Sequence, residues 1–439
     1  MTVAGALKTY AAEIRRLRRN DPNVIEPALA PAFRKLVEAL VPLLPVPDRL
    51  QAAPEFNQPG AGRPDIALKL EGGPPRAFIE LKAPHRPSDP TRWTGSDRRQ
   101  FHRLRELAVW STSNFHEMRL FEREAALGTV SILPAAALDP ATPDARADEL
   151  IDDHDTRAFT DMATRLLSSA ATAPAAQSAP QLAELLAHSA RLVRETVRER
   201  LRELDAAEIT DDPLQDVRTE FRTVLYAHPE AGGYTNRSFE ELFSAAFAQT
   251  LAFGLLLVRE ATNADVTDDA WRHMPEEHPL MRTALRVVSL PEVVEAIGVG
   301  FDVMRDTVNS FDPAILALQP NGRDPILYFY EDFLETFDPD GREKHGVYYT
   351  PVQVVRYMTG ALDRALREHL DVDGFMDGRV NILDPAVGTG TFLLGVAERV
   401  REQEGGAGGG MAAAALHDLA RRMYGFELLV GPYAVAHYR

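Results

Sequence analysis

Two groups of residues in this 439-residue chain have the types and spacing that chemistry needs. The first runs from Val380 to Phe392, VNILDPAVGTGTF. Val380, Ile382 and Leu383 read as a short buried strand ending in Asp384, followed by a glycine turn and a helix through Leu393, Leu394, Val396 and Val400. Gly388 and Gly390 remove the β-carbon where a ligand must come close to the backbone, and Asp384 sets a carboxylate beside that space. The residues after Gly390 do not fit G-x-G-x-x-G, and no lysine follows the glycines as a phosphate-gripping loop requires. The second group is an acidic pair with a lysine. Asp65 opens the run PDIALKL, and Glu80 and Lys82 lie two apart in RAFIELKAP, so they share one face of a strand. Two carboxylates and a lysine at one end of a hairpin can bind magnesium and hold a water beside it. The metal would lower the water's pKa and stabilise charge on a phosphate.

The elements that must position these groups follow from pattern. Glu71-Gly72-Gly73-Pro74-Pro75 joins the two β-prone runs into a hairpin. Ahead of it stand two helices. One holds Ile14 and Leu17 among Arg15, Arg16, Arg18 and Arg19 and is broken by Asn20-Asp21-Pro22; the other runs from about Glu26 through Phe33, Leu36, Val37 and Leu40 to the prolines at 42, 45 and 47. The arginine cluster offers either phosphate contacts or a solvated helix face. Glu26 sits in a first turn, where the helix dipole favours a carboxylate. Between Arg86 and Arg105 lie six arginines with Trp93, Phe101, His85 and His102, which suit a phosphate backbone or an amphipathic helix facing water. AVWSTSNFHEMRLFERE reads as a further strand pair and TVSILP as a last strand. SSAATAPAAQSAP, residues 168–180, reads as a flexible linker, and helical spacing continues from there to ILYFYEDFLETF. GGAGGGMAAAAL, after the glycine loop, reads as a mobile surface insertion. Met423 to Glu427 reads as a second parallel strand with an acidic end.

Composition bounds the classes. At 45 % apolar the chain can bury more than one core, and the absence of cysteine excludes disulfides and zinc-thiolate sites, which leaves carboxylates and hence magnesium for any metal. The net charge of −17 means that DNA contact must come from local basic patches. No apolar run near 18 residues and no basic-then-apolar leader is evident, so the expectation is a cytoplasmic protein with no membrane partner.

D-P-A-x-G-x-G-x-F, from Asp384 to Phe392, resembles the first motif of N6-adenine DNA methyltransferases, and GVYYTP at 346–351 resembles the segment of that family that wraps the cofactor. The resemblance implies that S-adenosyl-L-methionine is bound by Tyr349, Thr350, Pro351, Asp384, Pro385, Gly388, Gly390 and Phe392, with Asp384 on the methionine amino group. It also implies that Glu427 takes the ribose hydroxyls. P-D…E-x-K resembles the PD-(D/E)XK nuclease superfamily, in detail the N-terminal nuclease of single-chain restriction-modification enzymes. That resemblance implies Asp65 and Glu80 as Mg2+ ligands, Lys82 as the residue that positions the nucleophile, and Glu26 as an extra helix carboxylate. The superfamily often adds Q-x-x-x-Y; here Gln100 is present but Leu104 stands at the tyrosine position, which leaves the role of Gln100 open.

The expected fold class is an α/β nuclease core at 1–150, an all-α connector at 151–340, and the start of an α/β Rossmann-like methyltransferase domain at 341–439. The expected function is a restriction-modification protein that acts on double-stranded DNA in defence against phage, with adenine-N6 methylation joined to Mg2+-dependent cleavage. An alternative is a non-catalytic subunit of a split system that binds DNA and cofactor. The only Pro-Pro in the sequence is Pro74-Pro75, so the P-P-aromatic loop that holds the target adenine in the family is not matched. The expectation is therefore the front part of a longer enzyme or one half of a split one, which needs a partner chain and transfers no methyl group alone. No G-x-x-x-x-G-K-[ST] occurs, so no helicase motor is expected.

Overall fold

In a computed structural model of the protein, the structure describes residues 2–21, 24–47, 49–54, 64–71, 75–171, 176–225, 236–276, 278–316, 329–339, 350–403, 410–427 and 430–438. They form two compact units. One comprises residues 1–175, 188–244 and 291–310; the other comprises 176–187, 245–290 and 311–439.

The first unit is built on a six-stranded sheet in sequential order: β1 (Leu50–Pro54), β2 (Ile66–Leu70), β3 (Pro75–Leu81), β4 (Val109–Ser113), β5 (Glu117–Glu122) and β6 (Ala125–Ser131). All neighbours are antiparallel except β3 and β4. A parallel pair needs a crossover, and α3 (Gly95–Leu104) is that crossover. Strand periodicity then separates two faces. Ile66, Leu68, Ala77, Ile79, Leu81 and Leu120 pack against α1 (Val3–Asn20) and α2 (Glu26–Leu40), together with α4 (Asp144–Asp152) and α5 (Arg157–Ala171). Ala67, Phe78, Trp110 and Phe121 face the other way, onto Trp93, Leu104, Leu107, Leu192 and Val299. β3 is buried nearly throughout, as a central strand must be, and this second face also carries Glu80.

The hairpin and the later strand pair form as read, and β6 spans 125–131 rather than TVSILP alone. β1 is an additional edge strand that no β-branched residue announces; its Pro54 is tolerated at an edge. The expected linker at 168–180 is corrected at both ends: α5 continues through Ala171, and α6 (Ala179–Ala206) begins before Pro180. Alanine and leucine favour helix more than the Ser/Pro content opposes it, and Phe159, Ala163, Leu166, Leu167 and Ala170 of α5 complete the core under the sheet. The packing of this unit thus continues past residue 150. Among the described residues, 151–340 holds helices and no strand: α7 (Pro213–Leu225), α8 (Asn236–Thr262), α9 (Pro279–Val288), α10 (Pro291–Ile297), α11 (Val299–Asn309) and α12 (Phe329–Phe337) follow α6. Within α8, Phe239–Thr262 is long and apolar enough to cross a membrane, contrary to the expectation that no such run exists. Of its apolar window, 72 % is buried inside the protein, as for a core helix.

The second unit centres on α13 (Val352–His369), β7 (Ile382–Asp384), α14 (Thr391–Gln403), α15 (Gly410–Ala420), β8 (Met423–Gly425) and α16 (Val430–Tyr438). β7 and β8 pair in parallel, Leu383 opposite Tyr424. One face of the pair, Ile382 and Met423, packs with Phe375, Val396, Val400 and Leu419. Of the insertion expected at 405–416, residues 405–409 lie outside the described residues, and Gly410 to Leu416 belong to α15, because an alanine run is the strongest helix former available. The segment around ILYFYEDFLETF supplies α12, whose Phe329 and Phe333 meet Phe253 edge to face and whose Tyr330 meets it tilted.

Candidate functional sites

The glycine loop lies where β7 turns into α14. Gly388 has φ +55° and Gly390 φ +81°, left-handed conformations that side chains with a β-carbon resist, so both positions require glycine on backbone grounds. The turn is tied to the second strand. Phe426 donates its amide to the Asp384 carbonyl at 2.9 Å, Val387 donates to the Phe426 carbonyl at 2.9 Å, and the Gly388 amide donates to Oε2 of Glu427 at 3.0 Å. Gly425 matters for closeness: a β-carbon there would stand 2.9 Å from Val387 Cβ. Asp384 is partly buried, and its Oδ1 accepts from the Ala386 amide at 3.1 Å. Loop, strand end and helix start therefore bring Asp384, Gly388, Gly390 and Glu427 to one place. Pro385 is exposed and Phe392 partly buried at the same turn. Thr350 and Pro351 lead into α13, with Pro351 as its N-cap; Tyr349 lies outside the described residues.

These groups suit a polar ligand with an amino group, hydroxyls and a part thin enough to cross the glycines. Asp384 can accept from an ammonium. Glu427 can accept from hydroxyls in place of the Gly388 amide.

The second site is on the sheet face of the first unit. Glu80 and Lys82 are 3 % and 5 % exposed, which charged groups tolerate only when paired. Lys82 Nζ donates to Glu80 Oε1 at 2.7 Å, Asp97 Oδ1 at 3.0 Å and Gln100 Oε1 at 3.0 Å. Its ammonium also lies 4.6 Å from the centre of the Trp93 ring. Asp65, just ahead of β2, accepts from the Leu81 amide at 2.6 Å. Burial, with the charge of Asp65 next, pushes Glu80 up to about 8, and the Lys82 ammonium does not reverse it. Burial pushes Asp65 up to about 6 against the Leu81 hydrogen bond, and the charge of Glu26 adds to the rise. Burial opposes the charge on Lys82, but Glu80 and Asp97 outweigh it and the lysine titrates above its ordinary range.

Two of the carboxyl groups, Asp65 and Glu80, lie close enough to offer oxygens to a divalent cation. Glu80 Oε2 is buried with no hydrogen-bond partner, and the charge of Asp65 adds to burial in raising Glu80. All the donors are oxygen, which suits Mg2+. Among the described residues, no three His, Asp or Glu side chains gather closely enough to hold a metal by themselves, so water and a ligand oxygen would complete the sphere.

Asp97 has no role in the sequence reading, and Trp93 and Arg86 enter it only as members of the arginine and aromatic cluster. The available signal was that Asp97 and Gln100 are three apart on one helix, hence on one face. The two arginine clusters are largely committed to the protein itself. Arg15 donates to the Ala137 carbonyl at 2.7 Å, Arg18 to the Leu138 carbonyl at 2.9 Å, and Arg19 to the Pro140 and Thr142 carbonyls, so neither a phosphate track nor a plain solvated face describes them. Around α3, Arg99 pairs with Glu199 at 2.9 Å, Arg105 with Glu124 at 3.1 Å and Arg86 with Asp97, while Arg103 is buried.

Among known proteins, residues 321–438 match the family model described as N-6 DNA Methylase. No curated protein matches the chain. Three solved structures of restriction-modification or DNA-bound proteins are similar to it. The DrdV–DNA complex, solved by cryo-EM, is 19 % identical with a TM-score of 0.39, over 99 % of this chain and 38 % of that one. The ATP-dependent type ISP restriction-modification enzyme LlaBIII bound to DNA is 18 % identical with a TM-score of 0.38, over 63 % of this chain and 17 % of that one. A nuclease-deletion mutant of the type ISP enzyme LlaGI with a DNA substrate mimic is 16 % identical with a TM-score of 0.35, over 64 % of this chain and 20 % of that one. The chain thus spans well under half the length of each.

Proposed function

We propose that the chain is part of a restriction-modification protein in which an adenine-N6 DNA methyltransferase module using S-adenosyl-L-methionine is joined to a Mg2+-dependent DNA endonuclease. The observation that carries the reading is the glycine turn at Gly388 and Gly390, closed by the Glu427 carboxylate, inside the stretch that matches the methylase family. Asp384 holds the methionine ammonium, Glu427 the ribose hydroxyls, and the glycines admit the cofactor between them. When bound, the cofactor supplies an electrophilic methyl group for adenine N6. Leu383, Tyr424 and Phe426 are 56 %, 54 % and 65 % exposed, on the face of β7 and β8 opposite α14. Parallel sheets are covered on both faces, which supports a further layer from the same protein or a partner chain docking there.

The nuclease reading is favoured by the partnerless Glu80 Oε2 beside Asp65 and Lys82. Asp65 and Glu80 would hold Mg2+, which when bound lowers the pKa of a water and neutralises phosphate charge. Lys82 orients the attacking water, and Glu26 adds negative charge beside Asp65. Its substrate is double-stranded DNA, and the protein works in the cytoplasm.

Ultraviolet cross-linking of radiolabelled S-adenosylmethionine, followed by peptide mapping, tests the first half. Label is expected in peptides within 346–427; label elsewhere, or none, contradicts it. Cleavage of unmethylated plasmid in Mg2+ by the wild type but not by Lys82→Ala tests the second.

A further inference from the structure

An ammonium has three N–H donors, and in Lys82 protein acceptors take all three. They are not equivalent. Glu80 is one of the two carboxylates on which the proposed cation would draw, so its hold on Lys82 weakens when a cation binds. The two remaining acceptors, Asp97 and Gln100, both come from α3, and of these only Asp97 carries charge. A nearly buried ammonium left without a counter-charge pays a large desolvation penalty and is driven to move toward water. Asp97 is itself fixed from outside: its second oxygen is held by the guanidinium of Arg86, whose side chain is 52 % exposed. Trp93 closes the remaining side of the ammonium. Asp97 also stands in the first turn of α3, where the helix dipole favours a carboxylate, so its contacts with Lys82 and Arg86 are what single it out.

We propose that Asp97 is a positioning residue: the counter-charge that keeps the Lys82 ammonium beside Glu80 once a cation engages the carboxylates, with Arg86 orienting Asp97. This rests on the nuclease reading of the same site. Asp97 acts through Lys82, touching neither metal nor phosphate.

The test uses the full chain as wild type, Asp97→Asn, Asp97→Glu, Arg86→Ala and Lys82→Ala, with three readouts. Calorimetric titration with Ca2+ reads the carboxylates alone, and Asp97→Asn is expected to stay within about threefold of wild type because Asp97 is no ligand. Steady-state cleavage in Mg2+ is expected to show kcat lowered about tenfold or more in Asp97→Asn with KM for DNA nearly unchanged, and partial recovery in Asp97→Glu. Acylation of Lys82 by an amine-reactive ester, followed by mass spectrometry in the presence of Ca2+, reads the hold directly. Asp97→Asn is expected to label about fivefold faster than wild type or more, since a loosened amine is more accessible. Wild-type kcat and wild-type labelling in Asp97→Asn would overturn the proposal. If Asp97→Asn does not fold, the surface variant Arg86→Ala replaces it, and Lys82 labelling unchanged from wild type overturns the proposal equally. Failure of the nuclease reading looks different: wild type then cleaves no better than Lys82→Ala in Mg2+ or Mn2+, and labelling alone decides whether Asp97 holds Lys82.

Discussion

The amide of Gly388 donates a hydrogen bond to Oε2 of Glu427 at 3.0 Å, joining two residues 39 positions apart in sequence. The turn after β7 and the acidic end of β8 are therefore one site. The carboxylate is placed at the mouth of the turn, where its oxygens can accept from ligand hydroxyls.

Replacement at the glycine turn separates strain from ligand exclusion. A β-carbon at Gly388 meets nothing within 4 Å, so Gly388→Ala is expected to cost only its left-handed φ, about 1–2 kcal/mol. A drop in melting temperature of the second unit without loss of folding checks this. Gly425→Ala, where the β-carbon would press on Val387, is expected to displace the loop and lower stability further.

The acidic pair predicts a pH dependence. Folding raises Glu80 from 4.5 to about 8 and Asp65 from 3.8 to about 6, chiefly through burial, so the folded chain keeps protons that the unfolded chain sheds. The stability these protons confer is fully present below the unfolded values and is lost as pH rises through about 6 and then about 8. The slope is at most about 1.4 kcal/mol per pH unit for each retained proton. Denaturant titrations in the absence of metal should show this decline, and Glu80→Gln should flatten its upper part. Mg2+ competes for the same carboxylates, so its affinity should rise over the same interval, with proton release visible as a buffer-dependent binding enthalpy.

Arg15 is buried and bonds the Ala137 carbonyl. Arg15→Met keeps the volume but leaves that carbonyl unsatisfied, and should destabilise the first unit by about 1–3 kcal/mol in chemical denaturation. An unchanged midpoint would mean that water replaces the guanidinium.

Trp110 is fully buried and stacked on Phe121 with ring centres 4.2 Å apart, on the sheet face that carries Glu80. Trp110→Ala should cost about 3–5 kcal/mol. Calorimetric melting checks it, and a loss below about 1 kcal/mol would show that the face repacks.

Much of the site could be read from the sequence because its logic is local. Glu80 and Lys82 share a face by strand periodicity alone, and Asp384, Gly388 and Gly390 sit within one strand-turn-helix. What could not be read depends on packing between distant segments. Asp97 reaches Lys82 only because the crossover α3 docks on the sheet face, and Arg15 finds a carbonyl 122 positions downstream. β1 lacks the β-branched residues that mark a strand and is held by pairing with β2. The alanines after the glycine run looked mobile by composition, yet their helix propensity and the burial of Leu419 place them in α15.

The most direct measurement is calorimetric titration of S-adenosylmethionine into the wild-type chain and into Glu427→Ala, a change at a partly buried side chain that leaves the core untouched. One cofactor per chain is expected for the wild type, with affinity falling about tenfold or more in Glu427→Ala as hydroxyl contacts are lost. Equal binding by both proteins, or cofactor bound by neither, would contradict the assignment of this turn as the methyl-donor site.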